Sequence, residues 1–489
     1  MNTNSRAPLP GCCRGNERIN IMQAAKSTFA LFFGNRGFFP SSLMSGAREE
    51  LPRVLKDMGH DVIMMAEDAT PAGAVETTAE GELYAQFLRD NRGKFDGIIL
   101  SLPNFGDETG AAAALKDAGV PILIQAYPDE LDKLGMDSRR DSFCGKFSIM
   151  DVFTQYEVPY TTLKPHTVSP SSDAFQGNVE YFDRLCRVTS AMTGLVVGAL
   201  GARTTPFKTV RFDEVTLQRH GITVETLDLA DVFKRIDEQD LNSAACKAKA
   251  EFLKDTATWE GVPEEAFNNL TRLGVVMDEI IEEYEMKALA LRCWTELQQN
   301  YGISPCVVTA SLMDRAIPAA CEVDVANAIT MHALGQASGE ATSILDWNNN
   351  YGDDENKCIL FHCGNVAQSL MVERGWISDH GILKSVLGEG RAYGCNQGRI
   401  RPFPFTYGSM MTLDGDVHFY LGEGRFTDDQ IPRSFFGCAG VAEIENLQDV
   451  LYEVGQAGHR HHVSLTPGNY KEPMVEAFDK YLGFQVKAY

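Results

Sequence analysis

The first 160 residues alternate between short apolar runs and longer segments with helical periodicity. The apolar runs lie at 28–33, 61–65, 97–102 and 121–125, and the helical segments between them lie at 47–58, 80–91 and 108–118. Because a continuous apolar strand is buried on both faces, this alternation predicts a parallel sheet covered by helices. Ligand contacts of such a sheet belong at the carboxyl ends of its strands.

A second α/β unit begins near residue 165. It contains a predicted helix at 178–192, a strand that runs into a glycine turn at 193–203, and a strongly helical stretch at 241–300. The glycines of that turn do not form the GxGxxG pattern, so a dinucleotide site has no support. A strand at 304–310 and a helix at 325–335 complete the unit, which is predicted to be doubly wound like the first.

The pattern changes at about residue 388, where glycine, aromatic residues and alternation dominate up to residue 440. This sequence pattern predicts antiparallel strands in a barrel-like domain. The predicted fold class is α/β, with two doubly wound parallel-sheet domains and then a C-terminal antiparallel β-rich domain. The predicted divisions are a flexible arm at 1–25, α/β domains at 26–164 and 165–385, and the β-rich domain at 386–489. The metal site falls in the central domain, and the last domain adds a ligand histidine.

Composition restricts the possible partners. The 489 residues include 67 acidic and 44 basic side chains, which gives a net charge of −23. This balance argues against nucleic acid and anionic membranes as partners, because both require a basic surface. No apolar run reaches the length of a membrane span, and the first 20 residues lack the apolar core of a signal peptide. We therefore expect a cytoplasmic protein whose 12 cysteines, including the adjacent Cys12 and Cys13, are mostly reduced.

Four polar residues in the second half lie at intervals that suit one metal site: Glu322, Asp346, His362 and His462. The first three each follow a short apolar run, where a buried strand would end, and His462 opens a predicted strand. A charged residue such as Glu322 at the junction of a buried strand and a helix is costly unless it is paired or metal-bound. Each residue also has a simpler interpretation. Asp346 precedes three asparagines and fits a turn, and His362 fits a core histidine. Asp324 fits a helix N-cap.

His461 and His462 come just before a predicted strand. In an extended segment their side chains point to opposite faces, so we expect only one of them to be a metal ligand. Two carboxylates with up to two imidazoles suit Mn²⁺, and also Co²⁺, Fe²⁺ or Mg²⁺. A structural zinc site would use cysteine thiolates instead. A paired Glu322 and Asp346 also provide a general acid and a general base, which together move a proton between C1 and C2 of a sugar through an enediolate.

These segments resemble the L-fucose isomerase and L-arabinose isomerase superfamily over nearly the whole chain after the arm. The resemblance is carried by IPAACEVD at 317–324, LD at 345–346, FHCGN at 361–365 and GHRHH at 458–462. It implies an aldose–ketose isomerase with Glu322, Asp346 and His462 as manganese ligands, the two acids also being catalytic. The intermediate histidine of arabinose isomerases falls on His362. The family pattern further implies a homo-oligomer whose active sites are shared between subunits.

The resemblance leaves the sugar open, and relatives include isomerases for sulfoquinovose, a 6-sulfonated glucose. We predict substrate contacts from Arg36, Lys146, Asn365 and His461. Arg36 follows the first strand, and Lys146 ends the family-like segment DSFCGK at 141–146, where Asp141 or Ser142 equally fits a helix cap. A sulfonate or phosphate could also pair with one of several arginines of the β-rich region, which fit fold-supporting roles as well: Arg391, Arg399, Arg401 and Arg425.

Two other functions are compatible with these residues. A sugar-binding protein would also have α/β lobes with ligands at strand ends, because fold does not fix function. A metal-dependent aldolase would also stabilise an enediolate. The paired acids and the late histidine favour the isomerase over the binding protein.

Overall fold

The computed structural model describes residues 25–40 and 42–489. The predicted arm, except Ala25, lies outside these residues, as do Cys12 and Cys13. The described chain opens with a parallel sheet of order β2-β1-β3-β4, as predicted. Its elements are β1 (Phe29–Phe33), α1 (Ser42–Asp57), β2 (Val62–Met64), α2 (Thr78–Asp90), β3 (Gly97–Leu102), α3 (Glu108–Leu115) and β4 (Ile122–Ala126).

Local sequence explains where the first helices begin. Thr77 and Glu80 form a reciprocal capping box at the start of α2, and the carboxylate of Asp107 accepts from two backbone N–H groups at the start of α3. Two longer helices follow, α4 (Ser142–Gln155) and α5 (Asp173–Met192). Asp141 stands at the N-cap position of α4, but its carboxylate pairs with Arg139 rather than capping the helix.

The second parallel sheet has the order β6-β5-β7-β8. Its elements are β5 (Val196–Leu200), α6 (Glu214–Arg219), β6 (Thr223–Leu227), α7 (Leu229–Glu238), α8 (Ala244–Thr256), α9 (Glu264–Glu283), β7 (Ala288–Leu291), α10 (Glu296–Tyr301), α11 (Cys306–Met313), β8 (Ala319–Ala320) and α12 (Val325–Ser338). The predicted second α/β unit is therefore present.

Two predictions in this unit are wrong. The expected strand at 304–310 is helix α11, which is buried on every face. A short run that is apolar all round shows no helical period, so sequence alone does not separate it from a strand. The expected continuous helical stretch at 241–300 contains strand β7. The strand has only four apolar residues and follows directly after an acidic helix, so the sequence pattern does not distinguish it.

The C-terminal part is an antiparallel barrel with flanking strands. In chain order the strands and helices are β9 (Ser343–Asn350), β10 (Lys357–His362), β11 (Trp376–Asp379), α13 (Lys384–Leu387), β12 (Tyr393–Arg399), β13 (Phe403–Leu413), β14 (Asp416–Phe426), β15 (Cys438–Glu443), α14 (Leu447–Gln456), β16 (His462–Pro467), α15 (Lys471–Glu476) and β17 (Gln485–Ala488). The order β15-β10-β9-β16-β13-β14 closes through a β14–β15 pairing into six antiparallel strands.

The barrel takes β9 and β10 from before residue 386, because these two strands pair with β15 and β16. Helix α12 joins barrel and sheet: it packs on β5 and β7 of the second sheet and on β13 and β16 of the barrel. The helix is almost entirely buried and apolar, which is what a helix covered on all sides requires. Among the described residues, no helix combines the length and the apolar character needed to cross a bilayer.

Candidate metal and active site

Three barrel strands bring together three of the predicted site residues. In the antiparallel register, Asp346 of β9 lies opposite His462, the first residue of β16, and opposite Phe361 of β10 on its other side. His362, the last residue of β10, is therefore a neighbour of both. Asp346 does not end its strand as predicted, because β9 continues through the three asparagines into solvent.

Glu322 reaches the same place from the second sheet. It follows β8 directly and is buried, with a backbone φ of 55°, and Val323 after it has a φ of 60°. Two consecutive left-handed residues without glycine are uncommon and strained. This turn aims the Glu322 carboxylate at the barrel, where its Oε2 lies 3.7 Å from His362 Nε2 and 3.9 Å from His462 Nε2.

Two carboxylate oxygens of this cluster have no hydrogen-bond partner among the described residues. Glu322 Oε2 and Asp346 Oδ1 are buried and have no hydrogen-bond partner within residues 25–40 and 42–489. Asp346 Oδ1 lies 3.4 Å from His462 Nε2. Buried polar atoms are nearly always paired, so two unpaired carboxylate oxygens facing two imidazoles have the composition and spacing of a cation site.

Asp324 fixes the orientation of His462. Its carboxylate caps α12 by accepting from the N–H of Asn327, as predicted, and also accepts from His462 Nδ1 at 2.8 Å. The proton held on Nδ1 leaves Nε2 free to bind a metal, which is the usual support for a metal-ligating histidine. The buried guanidinium of Arg460 pairs with the same carboxylate.

Charge coupling shifts the protonation of the buried groups. Burial alone would raise the pKa of Glu322, but His362 and His462 outweigh it and lower that pKa to about 2. Burial alone would lower the pKa of His362, but Glu322 and Asp346 raise it to about 9. Burial alone would also lower the pKa of His462, but the neighbouring Asp324 carboxylate outweighs it and raises that pKa. The two imidazoles are therefore easier to protonate than free imidazoles, and a cation would compete with protons for them.

His461 lies near the cluster but is half exposed. It lies in a bend before β16 rather than in the strand, so the alternation of faces expected for an extended segment does not apply to His461 and His462. Its Nε2 is 3.6 Å from Asp346 Oδ1, and the two imidazole centroids are 4.4 Å apart. Burial and the neighbouring His462 lower the pKa of His461.

A cavity of about 280 Å³ opens onto this cluster. One part of its wall is aromatic or aliphatic and includes Phe207, Trp294, Ile382 and Leu383. Phe207 and Trp294 were not predicted from the sequence, and they come from the segments that follow β5 and β7. The glycine turn after β5 marked the first segment as a strand end, whereas the second was hidden because β7 itself was not recognised.

Other predicted substrate contacts lie outside the cavity wall. Arg36 pairs with Asp107 and Glu108, the Lys146 ammonium donates to the carbonyl of His166, and the Asn365 amide donates to the carbonyl of Ala319. Arg399 and Arg401 donate to backbone carbonyls, and Arg425 pairs with Glu443. Of the four predicted substrate-binding residues, only His461 lines the cavity, and the roles of the other three stay predictions.

Comparison with known families agrees with this architecture. The N-terminal domain of fucose/sulfoquinovose isomerase matches residues 30–193, and the C-terminal domain of L-fucose isomerase matches residues 360–489. The first match covers the opening sheet up to α5, and the second covers most of the barrel. The chain belongs to the fucose/sulfoquinovose isomerase family, and is therefore a sugar isomerase of the ketol-isomerase type.

Individual relatives are distant. A sulfoquinovose isomerase of Priestia aryabhattai is 22% identical over 424 residues, which cover 86% of this chain and 91% of that protein. Another from Alkalicoccus urumqiensis is 24% identical over 381 residues, which cover 78% and 83%. Among solved structures, a periplasmic solute binding protein from Actinobacillus succinogenes with bound D-allose covers 64% of this chain and 93% of its own, at 13% identity. Its TM-score of 0.16 is too low to support the sugar-binding alternative.

Proposed function

We propose that this protein is a metal-dependent aldose–ketose isomerase that moves a proton between C1 and C2 of an open-chain sugar. The observation that carries the proposal is the pair of unpartnered carboxylate oxygens on Glu322 and Asp346, buried beside His462 at one end of a sugar-sized cavity. Isomerisation requires two groups that exchange protons with adjacent carbons and oxygens, and two carboxylates provide them.

The residues fit a hard divalent cation. Glu322, Asp346 and His462 would hold it, with His362 as a further ligand, and this mixture of carboxylate and imidazole suits Mn²⁺, with Co²⁺, Fe²⁺ or Mg²⁺ as substitutes. A bound cation of this kind polarises a carbonyl oxygen and stabilises negative charge on it. Asp324 would keep His462 in the orientation that presents Nε2 to the cluster.

The two carboxylates divide the proton chemistry. One of them takes the proton from C2 of the aldose, which leaves an enediolate, and a proton is then returned to C1. The O2 hydroxyl loses its proton and O1 gains one, so the ketose has the same composition as the aldose. Phe207 packs on the rings of His461 and His462, and the Trp294 indole N–H donates to Glu322 Oε1, so these two side chains would shield the reacting carbons from water.

The substrate is an aldose of the L-fucose or L-arabinose kind, or a 6-substituted hexose such as sulfoquinovose. No Arg or Lys lines the cavity in the part of the chain that the structure describes. A sulfonate would therefore take its positive charge from a neighbouring subunit, for which the partly exposed Arg36 is the candidate in this sequence. Lys146 is buried in its own chain, where its ammonium donates to the carbonyl of His166. A neutral aldose needs no such contribution, and the aromatic wall suits its apolar carbon face.

The test is a panel of aldoses incubated with Mn²⁺-loaded protein in D₂O and followed by NMR, with L-fucose, L-arabinose, D-arabinose and sulfoquinovose in the panel. We expect one of them to give its ketose with deuterium at C1. Glu322→Gln should lower kcat by about 10²- to 10⁴-fold with unchanged circular dichroism, because it removes one proton-transfer group. The exposed Glu82→Gln is the matched control and should keep full activity.

Three results would contradict the proposal. Wild-type turnover in the Glu322→Gln variant would show that Glu322 does not transfer the proton. Smaller carbonyl fragments instead of a ketose would identify an aldolase, because cleavage does not conserve the sugar. Tight binding of one sugar without any conversion would support a sugar-binding protein.

A further inference from the structure

A second group of ligand atoms lies at the other oxygen of Glu322. Cys293 Sγ is 3.4 Å from Glu322 Oε1, whereas the imidazoles of His362 and His462 face Oε2. One ligand atom each from Cys293, Cys321 and Glu322 lies within 4.8 Å of the other two. The carboxylate therefore has the two imidazoles on one side and the thiols on the other, where the Trp294 indole N–H also donates to Oε1 at 3.4 Å.

The two thiols are placed by neighbouring strands. Strands β7 and β8 pair in parallel, with Leu289 beside Ala319 and Ala290 beside Ala320. Cys321 directly follows β8, and Cys293 comes two residues after the end of β7. Both thiols are thus brought to the carboxyl edge of the second sheet by backbone pairing, independently of the barrel.

We propose that Cys293, Cys321 and Glu322 Oε1 form a second metal site, which takes a thiophilic divalent ion of the Zn²⁺ or Cd²⁺ class. Thiolate sulfur selects soft ions, whereas the carboxylate and imidazole side suits hard or borderline ions. Two sulfurs and one oxygen supply three of the four positions of a tetrahedral ion, and the cavity leaves room for a solvent or sugar oxygen as the fourth. Binding releases the two thiol protons to solvent.

Most buried thiols behave as small apolar groups. Cys306 and Cys363 also line the cavity, but only Cys293 and Cys321 combine that position with a place in the ligand group of Glu322, among the residues that the structure describes. Both thiols line the cavity, so an ion can reach them from solvent, and both lie beside a buried carboxylate. Cys186 shows the ordinary case, since it is buried in the apolar core between α5 and the first sheet.

An ion at this position inhibits the enzyme, a consequence that rests on the proposed function. It neutralises the Glu322 carboxylate through Oε1, which weakens that carboxylate as a proton acceptor. The site takes neither His362 nor His462, so the ion does not displace Mn²⁺ from its ligands on the other side. Inhibition by Cd²⁺ should therefore persist in a large excess of Mn²⁺.

The experiment titrates Cd²⁺ into the full-length protein in excess Mn²⁺, without sugar, and records the ultraviolet absorption of Cd–thiolate bonds. We expect one equivalent to bind per chain. Loss of a hydrogen bond to a metal ligand weakens metal binding by about 10- to 100-fold. Cys293→Ser and Cys321→Ser each remove a ligand itself, so each should weaken Cd²⁺ binding by more than that. Cys186→Ser is the matched buried-thiol control and should bind as the wild type does.

X-ray absorption at the cadmium edge of the wild-type protein provides a second measurement that needs no variant. Two sulfur ligands together with oxygen ligands support the site. A shell of nitrogen and oxygen alone, or a thiolate absorption that survives the Cys293/Cys321 double substitution, overturns it. None of these readouts uses turnover, so an inactive protein that gives the Cd–thiolate absorption would contradict the isomerase proposal and leave the thiol site standing.

Discussion

Glu322 is the residue on which both proposed sites depend. Its chemistry was predictable from the sequence, because a glutamate at the end of an apolar run needs a partner. Its orientation was not, because the left-handed backbone of Glu322 and Val323 is held from a distant segment, where the N–H of Val323 donates to the carbonyl of Leu291. Each such residue costs on the order of 1–3 kcal/mol, so the surrounding structure must supply at least that much to keep the carboxylate in place.

Lys146 gives a pH prediction at the same scale. Burial lowers the pKa of its ammonium from 10.5 to about 8. Between these pH values Lys146 keeps its proton in the unfolded chain and loses it in the folded protein, so the contribution of this one group to the free energy of unfolding should rise with pH across this window. The full rise is about 3 kcal/mol. Lys146→Met should abolish it, which denaturant unfolding at pH 7.5 and pH 10 would measure.

The exposed Lys247→Met serves as the control for this measurement and should keep the rise. An identical pH dependence in wild type and Lys146→Met would mean that the Lys146 ammonium is not desolvated in the folded protein. A Lys146 variant that instead changes KM would support the predicted substrate contact, which the packing of a single chain does not provide.

At the scale of elements, one carboxylate couples helix α12 to strand β16. Asp324 caps the helix, accepts from His462 and pairs with the buried Arg460. Burial opposes ionisation, but Arg460 and His462 outweigh it and hold the pKa of Asp324 well below its usual range. The cap was predicted from the sequence. The link to His462 was not, because the two residues are 138 positions apart.

The substitution Asp324→Asn keeps the helix cap and removes the negative charge, since asparagine caps helices as well as aspartate does. We expect a loss of about 3–5 kcal/mol in unfolding free energy, because the Arg460 guanidinium is left as an unpaired buried charge. Metal affinity should also fall by about 10- to 100-fold as His462 loses its support. Thermal unfolding and Mn²⁺ titration would measure the two effects.

The double variant Asp324→Asn with Arg460→Met distinguishes the two roles. Removing the unpaired guanidinium should recover part of the stability and none of the metal affinity. Recovery of wild-type Mn²⁺ affinity in the double variant would show that Asp324 supports the fold alone and does not orient His462.

At the scale of the whole molecule, an apolar surface patch bears on assembly. Phe143 and Phe147 at the start of α4 are 54% and 56% exposed, and the ring of His166 stacks on Phe147 at 4.4 Å. Leu131 and Met136, in the segment before α4, are also exposed. Phe143 and Phe147 contact one another, and exposed apolar side chains that lie together mark interaction surfaces, so this pair is the candidate interface for the predicted homo-oligomer.

We therefore expect the protein to sediment as an oligomer and a Phe143→Ser, Phe147→Ser variant to sediment as a smaller species. If neighbouring subunits share their active sites, the activity per chain should fall in the variant that no longer assembles. The substitution Val215→Ser, at an exposed residue of α6, is the control and should leave the mass unchanged. An unaltered mass of the double variant would place the interface elsewhere.

The predictable part of the structure is the part with a clear local pattern. The four strands of the first sheet, the helix cap at Asp324 and the barrel-like texture near the C-terminus all follow from neighbouring residues. Helix α11 and strand β7 were misjudged, because both are short and apolar and carry no period. The thiol pair of Cys293 and Cys321 was missed for the same reason, since its position depends on β7.

The sequence by itself determined which chemical groups the site contains: two acids, a set of histidines and the family that uses them. These were readable because residue type fixes ligand chemistry wherever the chain folds. Only the tertiary structure decided which atoms meet. The barrel register sets Asp346 beside His462, the turn at Glu322 divides its two oxygens between imidazoles and thiols, and Arg36 and Lys146 stay away from the cavity of their own chain. The physical reason is that these contacts join segments far apart in sequence, so their distances depend on how sheet, helix and barrel pack together.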